Sequence, residues 1–454
     1  MKIDTLVAEI GSTTTIVNAF TDVDGDTPVF WGQGQASTTV LAGDVRIGLK
    51  GAIDDLCRIK GVDTIEYDEM LATSSAAGGL KMTVHGLVYD MTTKAAKEAA
   101  LGAGAIVHQV TAGRLRENDI KKLKSINPGL ILLAGGIDYG ERDTAIYNAE
   151  MIRSLDLLIP VIYAGNVENR DEIRRIFKGS KAPLYIVDNV YPRISELNVE
   201  PTRSVIQDAF EKNIIHAPGM EHVRELVNGP IIPTPGAVME CAKLLYEQLG
   251  DLMVLDVGGA TSDLHSVTED SEDVKKILIN PEPKAKRTVE GDLGVFVNMK
   301  NIVDLYGKEK LEKKLDFPID PVMERYDVVP KDDEEILFVE TLTEKATITA
   351  TERHAGDIQY IQTPLEKSAV AQGKDLTNVK YIIGTGGALT RLPGRIRIMK
   401  KIAKHNIDDI LLFPTEYAQI LVDNDYIMAS LGVLSKVHRK AAIYLLGKSL
   451  GVSL

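Results

Sequence analysis

The sequence predicts an α/β protein made of two related domains, with an additional α/β unit inserted in the N-terminal half. Three observations predict it. An acidic–glycine–threonine pattern near the N-terminus recurs half a chain later. A third glycine-rich turn follows an apolar run near residue 384. Between the two copies, short apolar runs alternate with helically spaced segments, the mark of a parallel sheet with crossover helices.

The repeat decides the class. Val7-Ala8-Glu9-Ile10-Gly11-Ser12-Thr13-Thr14 and Val254-Leu255-Asp256-Val257-Gly258-Gly259-Ala260-Thr261 both run apolar strand, carboxylate, apolar residue, glycine, two small residues, threonine. The carboxylates are 256 − 9 = 247 residues apart. A solenoid would repeat every ~20–50 residues, so this spacing points to two domains of similar topology. The pattern has the chemistry of a phosphate clamp. Glycine lets a turn approach a ligand closely, and successive turn N–H groups form an anion-binding concavity. Ser12, Thr13, Thr14 and Thr261 add hydroxyl donors. A carboxylate beside a triphosphate repels it unless a cation lies between, so Glu9 and Asp256 imply Mg²⁺ held through water. Asp263 is the nearest further carboxylate and suits the cation or an attacking water. Glu9, Asp256 and Asp263 are therefore the candidate catalytic residues.

The third segment is Tyr381-Ile382-Ile383-Gly384-Thr385-Gly386-Gly387-Ala388-Leu389-Thr390-Arg391-Leu392-Pro393-Gly394. It reads as a strand, a glycine turn and a helix that starts after Pro393. Gly384, Gly386, Gly387 and Ala388, with Arg391, leave room for an adenosine against the backbone. The three segments together predict ATP or ADP with Mg²⁺ in a cleft between the two domains.

The remaining elements follow from periodicity and breakers. Apolar runs at 6–8 and 15–20 flank small residues and read as a hairpin, and Phe30-Trp31 opens another strand. Val45, Ile47, Leu49, Ile53 and Leu56 space helically. Strands at 130–134, 160–164 and 184–187 end in small or polar residues, the edge where open α/β sheets place ligands. Helices are expected between them, around 144–155 and 168–177. Breakers at 230–236 precede a helix at 237–249 and a new strand at Leu252. Residues 268–292 and the acidic run 331–335 read as exposed loops. The expected division is 1–99 for the first part of domain I, 100–230 for the inserted unit, 231–250 for a connecting helix and 251–454 for domain II.

Composition excludes several classes. A net charge of −13 lacks the basic face that nucleic acid or an anionic membrane needs, so neither is an expected partner. Cys57 and Cys241 cannot form a disulfide framework or a four-cysteine metal site. Asp4 and Glu9 interrupt the N-terminal apolar stretch, and no apolar run reaches the ~18 residues of a membrane helix. A cytoplasmic location is expected. Gly447-Lys448-Ser449 comes nearest to a P-loop, but Ala442 stands where its first glycine belongs. There is no dinucleotide fingerprint and no His-Glu-x-x-His.

The two repeats and the third glycine turn resemble the two phosphate motifs and the adenosine motif of the actin, hexokinase and heat-shock-chaperone superfamily. The stretch from Asp256 to Asp263 is especially similar to the second phosphate motif of the chaperones. Asp425-Tyr426-Ile427-Met428-Ala429-Ser430-Leu431-Gly432 looks like a connecting helix of that fold. Two positions depart from it: Glu9 stands where the first motif usually has aspartate, and Ala260 where the second has glycine. Further segments are Ala72-Thr73-Ser74-Ser75-Ala76-Ala77-Gly78-Gly79-Leu80-Lys81-Met82, Leu133-Ala134-Gly135-Gly136-Ile137-Asp138 and Tyr163-Ala164-Gly165-Asn166. With these, nearly the whole chain resembles the MutL/GlmL family associated with adenosylcobalamin-dependent glutamate mutase and related aminomutases.

The resemblance implies two actin-like ATPase domains facing a nucleotide cleft. It also implies a slow ATPase acting as a chaperone-like reactivating factor that exchanges damaged cobalamin, with mutase subunits as partners. The alternative within the superfamily is a kinase for a sugar or carboxylic acid. A kinase needs a general base, for which Asp263, Asp138 and Asp188 are the candidates. The activator of 2-hydroxyacyl-CoA dehydratases is a further relative, but its cluster-binding cysteine motif is not matched by Cys57 and Cys241.

Overall fold

The computed structural model describes residues 1–11, 14–75, 80–214, 217, 219–362, 367–405 and 410–454. Four strands open the chain: β1 (Lys2–Ile10), β2 (Thr14–Thr21), β3 (Val29–Ser37) and β4 (Glu66–Ser74). β1 and β2 form the expected antiparallel hairpin, and β3 pairs antiparallel with β2. The helix Val45–Lys60 then carries the chain back so that β4 lies parallel to β1. Asp44 caps this helix by accepting from the Arg46 N–H, and Gly61, in the left-handed region, ends it. Its buried face is Val45, Leu49, Ala52 and Leu56, while Ile47 points outward, 61% exposed.

The next five strands build a separate sheet. They are β5 (Lys81–Gly86), β6 (Ile106–Ala112), β7 (Leu130–Leu133), β8 (Val161–Tyr163) and β9 (Leu184–Ile186). All pairings are parallel, in the order β6-β5-β7-β8-β9. β7 and β8 are buried at every position, which is why they read as unbroken apolar runs rather than alternating ones. β10 (Ile231–Pro233) then returns to the first sheet, parallel to β4, and completes the order β10-β4-β1-β2-β3. The sequence reading took this stretch for breakers alone. Pro233 is tolerated because β10 is an edge strand and proline ends it.

The second half repeats the first sheet. Its strands are β11 (Leu252–Val257), β12 (Ser262–Val267), β13 (Ala285–Glu290), a hairpin of β14 (Asp357–Gln362) and β15 (Lys367–Gln372), β16 (Tyr381–Thr385) and β17 (Gln419–Val422). The order is β13-β12-β11-β16-β17, with β12 antiparallel to both neighbours and the other pairings parallel. β1, β2, β3, β4 and β10 thus correspond one to one with β11, β12, β13, β16 and β17. The protein is α/β, with two sheets of the same strand order and pairing sense and an additional parallel sheet in the first half.

By its internal packing the chain divides into two compact units. One comprises Met1–Cys241 with Ala429–Leu445, the other Ala242–Met428 with Leu446–Leu454. The first has a core around Ile3, Leu6, Leu49 and Met70, the second around Leu255, Phe338, Leu342 and Ile382.

Three local expectations need correction. Residues 268–292 are not a loop: they hold the helix Glu272–Ile277 and strand β13. The charges that suggested exposure are paired, Arg287 with Asp263, Lys286 with Glu282 and Glu290 with Arg353. The acidic run starts the helix Asp333–His354, with Asp332 accepting from the Glu335 N–H at 2.9 Å. Glu335 itself is 3% exposed and faces Arg325. Acidic side chains at a helix N-terminus are favoured by its free N–H groups and dipole, so charge here marks a helix start. Finally, the glycine turn of the third segment is itself a short helix, Gly386–Arg391, which precedes the helix expected after Pro393, observed as Arg395–Ala403. Among the described residues no helix is long and apolar enough to cross a membrane.

Candidate functional site

Glu9 and Asp256 occupy equivalent places, each the last residue but one of the first strand of its sheet and each partly exposed. The turns after them are built alike. The Gly11 N–H donates to the Thr14 carbonyl at 3.0 Å, and the Gly258 N–H donates to the Thr261 carbonyl at 3.0 Å. A Cβ on Gly11 would lie 2.6 Å from the Thr14 carbonyl oxygen, so the turn needs glycine there. Thr14 is exposed; Gly11, Gly258, Gly259 and Thr261 are partly exposed, and Ala260 is exposed. Ser12 and Thr13 lie outside the described residues, as do residues 76–79.

The second turn is braced from behind. The Gly258 carbonyl accepts from the Val295 N–H and the Gly259 carbonyl from Phe296 and Val297. The Ala260 carbonyl accepts from Asn298 Nδ2 at 2.8 Å. Gly294 makes this possible, since a Cβ there would sit 2.2 Å from the Ala260 carbonyl carbon.

Residues opposite each other on neighbouring strands share a sheet face. Asp256 stands opposite Asp263 on β12 and Thr385 on β16. In the first unit Glu9 stands opposite Ile16 and Thr73. Asp263, a candidate for the cation or the water, is buried in an ion pair. Its Oδ1 accepts from Arg287 Nε at 3.0 Å and Nη2 at 2.6 Å, and its Oδ2 accepts from Thr261 Oγ1 at 3.3 Å. Arg287, which the sequence reading placed in a loop, is 1% exposed. The pair therefore anchors Thr261 at the end of the phosphate-type turn.

The third glycine segment packs directly against the second turn. Gly386 has φ +81°, and a Cβ there would meet Asp256 Oδ1 at 2.5 Å and the Val257 carbonyl at 2.6 Å. Gly384 and Ala388 are buried, Gly384 beneath the Met399 sulfur. Gly387 and Arg391 are exposed, and nothing lies within 4 Å of a Cβ on Gly387. Thr385 Oγ1 donates to Asp423 Oδ2 at 2.9 Å. Asp423 also accepts from the N–H groups of Ile427 and Met428 and from Ser449 Oγ.

Glu9 has its own set of donors. Its Oε1 accepts from the Ser430 N–H at 3.1 Å, Ser430 Oγ at 2.6 Å and Asn18 Nδ2 at 3.3 Å. Ser430 belongs to the short helix Met428–Leu434, in the segment that resembles a connecting helix. That helix packs closely on Thr234–Leu249, because a Cβ on Gly432 would lie 2.0 Å from the Ala237 carbonyl oxygen. Ser430 entered the sequence reading only as one residue of the 425–432 segment, and Asn18, Arg287 and Asp423 not as candidates, because Glu9–Ser430, Asp263–Arg287 and Asp423–Thr385 join residues remote along the chain.

The kinase-type candidates lie in the segments after β7 and β9 and serve loop geometry. Asp138 Oδ1 accepts from the Val167 N–H at 2.9 Å and Asn189 Nδ2 at 3.0 Å. Asp188 pairs with Arg170 at 2.8 Å. Among the described residues, no three His, Cys, Asp or Glu side chains converge as a metal-binding group.

Comparison with known proteins gives a family and distant structural likenesses. The family model described as MutL protein matches residues 5–450. A protein named Protein MutL from Clostridium tetanomorphum is 36% identical over 429 residues, covering 91% of this chain and 92% of that protein. A nucleotide-free acetone carboxylase structure aligns at 10% identity with a TM-score of 0.41, covering 95% of this chain and 70% of that one. A nucleotide-free diol dehydratase-reactivating factor aligns at 11% identity with a TM-score of 0.39, covering 97% and 100%. At these scores neither structure bears on the function.

Proposed function

The chain belongs to the MutL protein family, and from that premise we propose that it binds ATP and ADP, hydrolyses ATP slowly, and acts as a chaperone-like reactivating factor. The proposed client is an adenosylcobalamin-dependent mutase, glutamate mutase or a related aminomutase, in the cytoplasm. The observation that carries the nucleotide reading is the duplicated turn: a carboxylate and a glycine-closed threonine turn at the same place in two sheets of the same topology.

In this reading the N–H groups of the turns after Gly11 and Gly258 receive phosphate oxygens, with Ser12, Thr13, Thr14 and Thr261 adding hydroxyls. Gly259 and Ala260 complete the second turn. Gly384, Gly386 and Ala388 keep the adenosine segment compact, and Gly387 and Arg391 present its accessible side. Glu9 and Asp256 are the residues that would hold Mg²⁺, through water. A single carboxylate per turn fits this ion, which keeps several waters and needs few protein ligands. When bound, Mg²⁺ would neutralise phosphate charge and lower the pKa of a coordinated water. Asp263, held by Arg287, fixes Thr261. ATP and ADP then favour different states of the protein, and the difference in partner affinity between those states does the remodelling. The parallel sheet β6-β5-β7-β8-β9 is the proposed partner-binding element, since neither turn needs it.

Calorimetry and thermal unfolding with Mg-ADP test the binding. A ligand at about 100 times its Kd adds roughly 2.7 kcal/mol of stability; no heat and no stabilisation at millimolar Mg-ADP would sink the reading. Asp256→Ala is expected to lower ATP hydrolysis more than it lowers nucleotide affinity. ATP turnover that rises when a cobalamin mutase is added supports the client. ADP release that requires a sugar or carboxylic acid, with a phosphorylated product, would establish a kinase instead.

A further inference from the structure

We propose that Ser430 and Asn18 are positioning residues for the Glu9 carboxylate, letting a glutamate do at the first turn what an aspartate does at the second. The inference rests on the reading that Glu9 faces the cation. Glu9 and Asp256 hold equivalent strand positions, but Glu9 carries one more methylene and one more rotatable bond. An unrestrained glutamate spreads over several rotamers, and ordering it costs free energy. Here its Oε1 meets three donors: the Ser430 N–H, Ser430 Oγ and Asn18 Nδ2.

Both donor residues are themselves fixed. Ser430 and Asn18 are 0% exposed. Asn18 Nδ2 also donates to Ser430 Oγ at 2.8 Å, and Gln33 Nε2 donates to Asn18 Oδ1 at 2.8 Å. Because Asn18 Oδ1 is the acceptor for Gln33, its Nδ2 is the atom turned toward Glu9. With Oε1 anchored, the plane of the carboxylate and the direction of Oε2 are set as well. By register, Asn18 corresponds to His265 and Gln33 to Arg287, and Arg287 bonds Asp263, so the residues that hold Glu9 differ in kind from those at the same strand positions in the second sheet. Side chains that orient a metal's carboxylate through hydrogen bonds commonly contribute about 10–100-fold to affinity or activity.

The test is the Mg²⁺ concentration that gives half-maximal thermal stabilisation of the full-length protein by ADP, with Mg²⁺-free ADP binding by calorimetry as control. Ser430→Ala is expected to raise that concentration about tenfold while Mg²⁺-free ADP affinity stays unchanged. Glu9→Asp withdraws the carboxylate from the clamp, so Ser430→Ala added to Glu9→Asp is expected to have no further effect. Ser430→Cys keeps the shape but donates weakly, and is expected to behave as Ser430→Ala does. It serves if the alanine variant does not fold. An unchanged Mg²⁺ dependence in the Ser430 variants, or an equal penalty in the Glu9→Asp background, overturns the inference. Glu9→Gln separates the two levels. If it leaves the Mg²⁺ dependence intact, the reading of Glu9 and the inference both fall. If it abolishes the dependence while Ser430→Ala does nothing, only the inference falls.

Discussion

His85 on β5 shows at residue scale how burial sets a titration. The ring is 0% exposed, with Nδ1 2.8 Å from Thr111 Oγ1 and Nε2 3.1 Å from Thr83 Oγ1. Desolvation pushes its pKa down to about 4, against a weak opposing pull from Asp119. An unfolded histidine titrates near 6.5. Between those values the unfolded chain binds a proton that the folded chain does not. Stability is therefore lost as the pH falls from about 6.5 toward 4, at up to about 1.4 kcal/mol per pH unit from this group. His265 and His354 act in the same direction, each held below the usual range first by burial and then by nearby cations. His85→Gln keeps donor and acceptor without the titration. Denaturant unfolding of parent and variant at pH 7 and pH 5 is expected to show a smaller acid loss in the variant. An equal loss would assign the acid sensitivity elsewhere.

At the scale of elements, Asp423 ties the end of β17 to the turn at Ile427 and Met428 and to the C-terminal helix Arg439–Leu450. The carboxylate is 1% exposed and accepts from Thr385 Oγ1, Ser449 Oγ and the N–H groups of Ile427 and Met428. Removing it strands four donors in a buried place, and each unsatisfied group costs about 1–3 kcal/mol. Asp423→Ala is therefore expected to destabilise the second unit by about 3 kcal/mol or more, with faster amide exchange at Ile427 and Met428. Asp332, an N-cap at the surface, provides the contrast. Asp332→Ala is expected to cost about 1 kcal/mol, read by the same denaturant titration. Equal costs for the two would mean that Asp423 is no more than a cap.

Across the whole molecule the chain passes between its two units three times, and its last nine residues belong to the second. Leu446 is 1% exposed, Leu450 is 5% exposed and Ser449 is bonded to Asp423. The C-terminal segment is thus part of a core, unlike an ordinary frayed terminus. Deleting residues 446–454 is expected to cost roughly 1.5–3 kcal/mol for each leucine, together with the Ser449 bond. Hydrogen exchange is expected to quicken in β16 and β17 while β1 and β2 keep their parental rates. Parental exchange throughout would show that the segment is dispensable.

The sequence by itself determined the two-domain class, the strand ends that carry Glu9 and Asp256, and the glycines that shape the turns. These are local facts. A tight turn closes between Gly11 and Thr14 or between Gly258 and Thr261, so its steric demand is written within a few residues. β7, β8 and the helix from Val45 were legible for the same reason, as runs and periods. Tertiary structure alone decided which charges go inside. Arg287, Lys286 and Glu290 made residues 268–292 look exposed until Asp263, Glu282 and Arg353 neutralised them. It also made Pro233 the end of an edge strand and began a helix on Gly386. The setting of Glu9 was likewise decided in space, because Asn18 and Ser430 are 412 residues apart and neither carries a local signature. A hydrogen bond between distant residues depends on where the folded backbone brings their atoms, and no window of neighbouring residues contains that information.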